Sequence, residues 1–265
     1  HSVTTLAQDT RTGQTSTWYY GTGELSGNSA GDRSGSAFYR GDGIYKSTDG
    51  GNSWSVLSST SSNKPQSFDS NFNYVWTVQV VPANGYVIAA TYNGIKRSID
   101  GGDTWTDILK PSTGSSSYSD VIINGSAIYA TLSYGSDKAG IWRSGDYGDT
   151  WTNITPSNFP SSYSRMVVGG APSNDNIVYL IGDLGSGHTL WKYTYIDGDG
   201  SGAGGTWVDR SANVPAFGGY QNIGKFSSQG GYDLLLKVKP DDEDFVFVGG
   251  TNLYSSSDGF ATSTN

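Results

Sequence analysis

Glu24 has the clearest acid–base potential in the chain. It follows Gly21-Thr-Gly and opens a loop that runs to Asp42, passing Asp32, Arg33 and Arg40. With Asp42 as its acidic partner, it could serve as the general acid or base that glycoside hydrolysis draws from two carboxyl groups. Asp197-Gly-Asp199-Gly-Ser201-Gly places oxygens at positions 1, 3 and 5 with Gly at 6, like the start of a calcium loop. The bidentate Glu is missing at position 12, where Val208 stands, and a Gly-rich insertion in a turn explains the same letters. Calcium held by Asp197, Asp199 and Ser201 is the one cofactor considered. Asp241-Asp-Glu-Asp244 reads as a solvated turn. His188, in a Gly-rich stretch with no Ser, Asp or metal-ligand company, also reads as solvated. There is no Walker or dinucleotide fingerprint, and no residue is assigned a catalytic role.

The elements that would position these groups repeat. Ser47-Thr-Asp49-Gly-Gly51-Asn-Ser53-Trp54 returns as Ser98-Ile-Asp100-Gly-Gly102-Asp-Thr104-Trp105 and as Ser144-Gly-Asp146-Tyr-Gly148-Asp-Thr150-Trp151. An Asp carboxylate can accept backbone N–H groups in a tight turn, Gly supplies positive φ, and Ser or Thr hydroxyls close the ends. The Trp then leaves the turn to bury its ring in the layer beneath. A fourth copy is interrupted between Asp197 and Trp207, and a fifth, at Asp258, lacks the later Gly and the Trp. Short β-rich runs precede each copy, such as Gly43-Ile-Tyr-Lys46, Gly94-Ile-Lys-Arg97 and Gly140-Ile-Trp-Arg143. The unit is strand, turn, strand, loop, strand, Asp-turn, strand, with a period of roughly 50 residues, the length of one propeller blade.

The expected fold is therefore all-β: a β-propeller of four-stranded antiparallel blades. Five are visible, at roughly 1–60, 72–111, 117–156, 163–211 and 231–265. Only 259–265 follow Asp258, so the last blade is expected to be incomplete and the chain to be part of a larger ring or protein.

The repeated phrase resembles the Asp-box, or BNR repeat, of sialidase-like and sortilin-like propellers. In that family the box is a folding device shared by enzymes and non-enzymes, so the resemblance implies a fold and leaves chemistry open. Trp18-Tyr-Tyr-Gly-Thr-Gly-Glu24, followed by Gly41-Asp-Gly-Ile-Tyr-Lys-Ser-Thr-Asp-Gly-Gly, is similar to the first blade of large secreted surface proteins of gliding, Bacteroidetes-type bacteria. Those often carry a type IX secretion signal. The resemblance implies an extracellular or cell-surface, non-catalytic module of an adhesin or surface assembly. Its partners would be other segments or chains of that assembly and cell-surface glycans. The runner-up is a sialidase-like glycoside hydrolase with part of its site here. Such a site needs an arginine cluster and a Tyr–Glu pair, and only Arg33, Arg40 and Arg165 lie near suitable loops. The paired aspartates of xyloglucan-cleaving propellers are not recognisable either. An assembly chaperone, the role some Asp-box propellers play for photosystems, would need an arginine patch.

Charge agrees with these limits. A net −8 disfavours nucleic acid and anionic membrane surfaces, and no apolar run approaches the ~20 residues that span a bilayer. Cysteine is absent, as in many bacterial surface proteins. The long loops at 24–42, 58–74, 110–119, 156–164 and 211–231 fall mainly opposite the Asp-turns. Binding usually resides on loops carried by a rigid scaffold. Glu24, Tyr39, Phe72, Tyr118, Tyr163 and Tyr220 are the candidate contacts.

Overall fold

Runs of β-branched and aromatic residues closed by Gly, Asn or Asp become short antiparallel strands. The computed structural model describes residues 2–27, 37–218 and 225–263. The first sheet is formed by β1 (Val3–Gln8) and β2 (Trp18–Thr22), then, after a hairpin of β3 (Glu24–Gly27) and β4 (Ala37–Tyr39), by β5 (Ile44–Ser47) and β6 (Ser55–Val56). The stretch read as a 24–42 loop thus contains a two-stranded arm. The second sheet comprises β7 (Val75–Val80), β8 (Val87–Thr91), β9 (Gly94–Ser98) and β10 (Thr106–Leu109). The third comprises β11 (Ser119–Asn124), β12 (Ala127–Leu132), β13 (Gly140–Ser144) and β14 (Thr152–Asn153). The fourth comprises β15 (Met166–Gly170), β16 (Ile177–Asp183), β17 (His188–Tyr195) and β18 (Gly205–Asp209). The fifth has three strands among the described residues, β19 (Leu235–Lys239), β20 (Asp242–Gly249) and β21 (Leu253–Ser256). The chain is an all-β, five-bladed β-propeller fold; its helical content among the described residues is three short 3-10 turns.

By contacts the chain divides into two compact units, residues 1–121 with 136–138 and residues 122–135 with 139–265. In the second unit, β16 shows how blades stack. Ile177, Tyr179 and Ile181 pack with Leu236, Val238, Val246 and Val248 of the fifth sheet. Val178 and Leu180, on the other face of the strand, pack with Ala127, Tyr129 and Ile141 of the third. Every residue of β16 is buried, which explains its unbroken apolar run. Each such Ile, Val or Leu contributes about 1.5–3 kcal/mol by leaving water. In the first unit, Tyr19, Ile44 and Leu57 meet Phe72, Val75, Val78 and Val87 in the same way.

The Asp-turns share one hydrogen-bond pattern. Ser47 Oγ donates to Asp49 Oδ1 at 2.7 Å and accepts the Gly51 N–H at 2.9 Å; Asp49 then accepts the Ser53 amide and hydroxyl. Ser98, Asp100 and Thr104 repeat the pattern, as do Ser144, Asp146 and Thr150. The last copy keeps it despite its altered letters. Ser256, Asp258 and Thr262 make the same bonds, and Phe260 adopts the positive φ (58°) that Gly51, Gly102 and Gly148 adopt elsewhere. Phe260 is buried, and its packing offsets the backbone cost.

The tryptophans depart from expectation. Trp54, Trp105, Trp151 and Trp207 are half-buried, because each lies at or next to the edge strand of its sheet, where one flank of the ring stays open. Trp54 and Trp105 donate Nε1–H to the carbonyls of Gly51 and Gly102. The Trp151 Nε1–H is buried with no partner. Trp207 lies within β18 and donates to Ile154 O at 2.7 Å, because the interrupted fourth turn offers it no equivalent carbonyl.

Candidate functional site: an aromatic and arginine cleft

The acid–base candidates are held by different partners. Glu24 accepts the Ser2 hydroxyl at 3.1 Å. Asp42 is buried and accepts the Asn63 N–H at 3.1 Å. The Asp197–Ser201 turn is closed on itself: Asp199 Oδ1 accepts both the amide and the hydroxyl of Ser201, and Asp197 O accepts the Gly200 N–H. Among the described residues no group of three or more His, Cys, Asp or Glu side chains gathers as a metal cage.

Two solvated readings need correction. His188 opens β17 with its ring almost wholly buried, edge-on to Phe217 and packed on Phe226. Its Nε2 meets Ser228 Oγ at 2.8 Å and lies 4.0 Å from Asp183 Oδ1, while Nδ1 is buried without a partner. A nucleophilic triad would use the two ring nitrogens separately, one for Ser and one for Asp. Here both neighbours sit at Nε2 and Ser228 is fully buried, so the cluster is core. In the acidic run, Asp241 is exposed and pairs with Lys239, but Glu243 accepts Asn174 and Asp244 accepts Tyr179 and Lys192. Those two carboxylates tie the fourth and fifth sheets together.

The loop aromatics separate by packing. Phe72 is buried edge-on to Trp105, and Tyr163 is buried against Phe159 with its hydroxyl on Leu132 O. Both belong to the core, not to an open binding face. Tyr118 is half-buried against Trp76, and Tyr39 is exposed. Tyr220 lies outside the described residues.

A cleft of about 280 Å³ opens where the long loops of the first unit converge, lined by Leu25, Arg40, Phe68, Tyr74 and Tyr92. Tyr74 and Tyr92 flank the paired strands β7 and β8, and the Tyr92 N–H donates to Tyr74 O at 2.9 Å, which sets the rings side by side. Phe68 stacks over Tyr74 with centroids 5.8 Å apart and meets Tyr92 edge-on at 5.1 Å. Burial raises the Tyr74 phenol above its usual pKa, and Arg40 opposes that shift.

Arg40 follows the β3–β4 arm, which Asn73 anchors. Asn73 Nδ2 donates to Gly41 O, the Gly41 N–H donates to Asn73 O, and Asn73 Oδ1 accepts the amides of Asp69 and Ser70. Arg40 Nη1 donates to Gln66 O at 3.3 Å, and its buried Nε has no partner. Of this set, the sequence singled out Arg40 only as a loop residue. Leu25, Phe68, Tyr74 and Tyr92 went unmarked. Their signal is the register of β7 against β8, which brings two strand-end tyrosines into contact.

No protein-family model and no curated protein matches the chain. Solved structures match it in fold. An ancestral GH74 enzyme aligns at TM-score 0.62 and 17% identity, over 96% of this chain and 33% of its own. The extracellular domain of a hybrid two-component system protein of B. thetaiotaomicron aligns at TM-score 0.52 and 12% identity, over 96% and 27%. The α-L-arabinofuranosidase Arb93A of Fusarium graminearum, in complex with an iminosugar inhibitor, aligns at TM-score 0.51 and 12% identity, over 96% and 77%. Identities this low show the β-propeller fold and no more. The chain spans 33% and 27% of the length of the first two.

Proposed function

We propose that this chain is a non-catalytic binding and structural module of a larger extracellular or cell-surface protein, of the adhesin or surface-assembly kind. In this reading the turns at Asp49, Asp100, Asp146 and Asp258 are Asp-boxes of a sialidase-like propeller, serving the fold. Contacts to glycans or to other segments of the assembly fall to the long loops. The carrying observation is the cleft of Phe68, Tyr74, Tyr92 and Arg40, a ring-lined recess with a cationic wall and no paired carboxylates. Ligand sites are commonly apolar recesses with a few placed polar groups. The neighbours in fold include glycoside hydrolases and an extracellular domain, which suits carbohydrate contact outside the cell.

The test exposes the chain to immobilised neutral and acidic oligosaccharides and monitors retention together with new reducing ends. Retention without cleavage supports a binding module. Turnover would replace it with the hydrolase reading, and no retention on any glycan would remove glycans as the contact.

A further inference from the structure

We infer that the Arg40 cleft takes a hexuronate, a pyranose ring bearing a carboxylate, as presented by acidic polysaccharides. This rests on the binding-module reading and adds the ligand class. Arg40 is half-buried in a chain of net charge −8, yet among the described residues it has no carboxylate partner. The neighbouring acids are engaged elsewhere: Asp42 with the Asn63 amide, Glu24 with Ser2, and Asp69 with Ser62. A guanidinium that leaves water unpaired is costly, and an incoming carboxylate would relieve that cost through two parallel N–H···O bonds.

The rest of the cleft reads the ring. Phe68 is 47% exposed and presents an open face beside the Tyr74 and Tyr92 rings, a platform for the apolar face of a sugar. At about 280 Å³ the recess lies at the small end of ligand pockets, with room for one ring. The exposed Gln66, whose carbonyl accepts the Arg40 Nη1–H, adds an amide beside the cleft for a hydroxylated ligand. A neutral hexose would leave the Arg40 guanidinium without a counter-charge, and a bare carboxylate would leave the rings bare.

The test titrates the whole chain with methyl glucuronide, methyl glucoside and acetate, followed by calorimetry and ligand-observed NMR. The glucuronide should bind at least about tenfold more tightly than the glucoside or acetate, and its affinity should fall with added salt. Arg40→Gln should remove the preference. Phe68→Ala, at an exposed position that leaves the core intact, should weaken the glucuronide at least about tenfold. Near-UV circular dichroism confirms that each variant is folded. Equal binding of glucuronide and glucoside, or acetate binding as tightly as the glucuronide, overturns the hexuronate assignment. So does wild-type affinity in the folded Phe68→Ala chain. If no probe binds while the chain is retained on neutral glycans, the assignment fails and the binding-module reading stands.

Discussion

Tyr179 and Lys192 face each other across β16 and β17 and converge on one carboxylate oxygen, Asp244 Oδ1, at 3.1 and 2.7 Å. The Lys192 ammonium also lies 5.5 Å from the Tyr179 ring centre. The same cross-strand pairing occurs at Tyr19–Lys46, which both donate to Gly101 O of the second turn. It recurs at Tyr129–Arg143, where Arg143 reaches Asp199 O of the interrupted fourth turn. In each pair the cation, with the tyrosine hydroxyl beside it at Tyr19 and Tyr179, reaches an oxygen of the next blade. In β8 the tyrosine position is Ala89, and Lys96 opposite it pairs instead with Asp107 of its own sheet.

Asp244→Asn keeps the shape and removes the charge that Lys192 and Tyr179 share. Lys192 holds the Asp244 carboxyl below its usual pKa, and burial and Asp244 together raise the Tyr179 phenol far above its own. The carboxylate is 45% exposed, so the expected loss is modest, about 1–2 kcal/mol. Urea unfolding measures it. A variant as stable as the parent would show that the contact adds nothing to stability.

The turns predict a response to acid. Asp49 is held down to about 2, first by the Ser53 hydroxyl and then by the Ser53 amide. Its folded pKa lies below the unfolded value of about 3.9, so its contribution is complete above that value and is lost as pH falls towards 2. Stability should therefore decline between about pH 4 and pH 2. Ser53→Ala should move the acid transition to higher pH, as followed by near-UV circular dichroism. Ser98→Ala acts at neutral pH: it strips the acceptor from the buried Gly102 N–H and should cost about 1–3 kcal/mol. An unchanged urea midpoint for that variant would disprove the role given to the serine.

What could be read from the sequence follows from distance along the chain. The Asp-turn closes within a few residues, Ser47 to Ser53, so its residue types specify its bonds and the blade rhythm shows in the letters. Phe260 departs from the consensus, yet the local bonds to Ser256 and Asp258 still form. His188 was misread because the residues that bury it, Phe226 and Ser228, lie about 40 positions away in a loop without periodicity. The cleft was missed for the same reason. Leu25, Arg40, Phe68 and Tyr92 come from four segments, and no spacing rule links them.

His188 predicts a second pH response at milder acidity. Burial lowers its pKa, and the nearby Asp183 opposes that only in part. The fold thus keeps the ring neutral, whereas the unfolded chain protonates it near ~6.5. Stability is complete above that value and declines as pH falls below it towards the lower folded pKa. His188→Gln can still reach Ser228 but does not titrate, so its urea midpoint should change less between pH 7.5 and 5 than the parent's. Equal slopes in the two proteins would assign the pH dependence to other groups.

Asn73 couples stability to the cleft. Its side chain is buried, accepts the Asp69 and Ser70 amides and donates to Gly41 O one residue beyond Arg40. Beneath it, Gly23 has φ +99°, and a Cβ there would sit 2.0 Å from Asn73 O, so no other residue fits against this anchor. Asn73→Ala leaves two amides and a carbonyl without partners and should cost about 2–3 kcal/mol. Because the same bonds hold the segment that carries Arg40 against the Phe68 loop, cleft ligands should also weaken in the folded variant. Calorimetry with methyl glucuronide reads the second effect and urea unfolding the first. Loss of stability with full affinity would mean that Arg40 is positioned without Asn73.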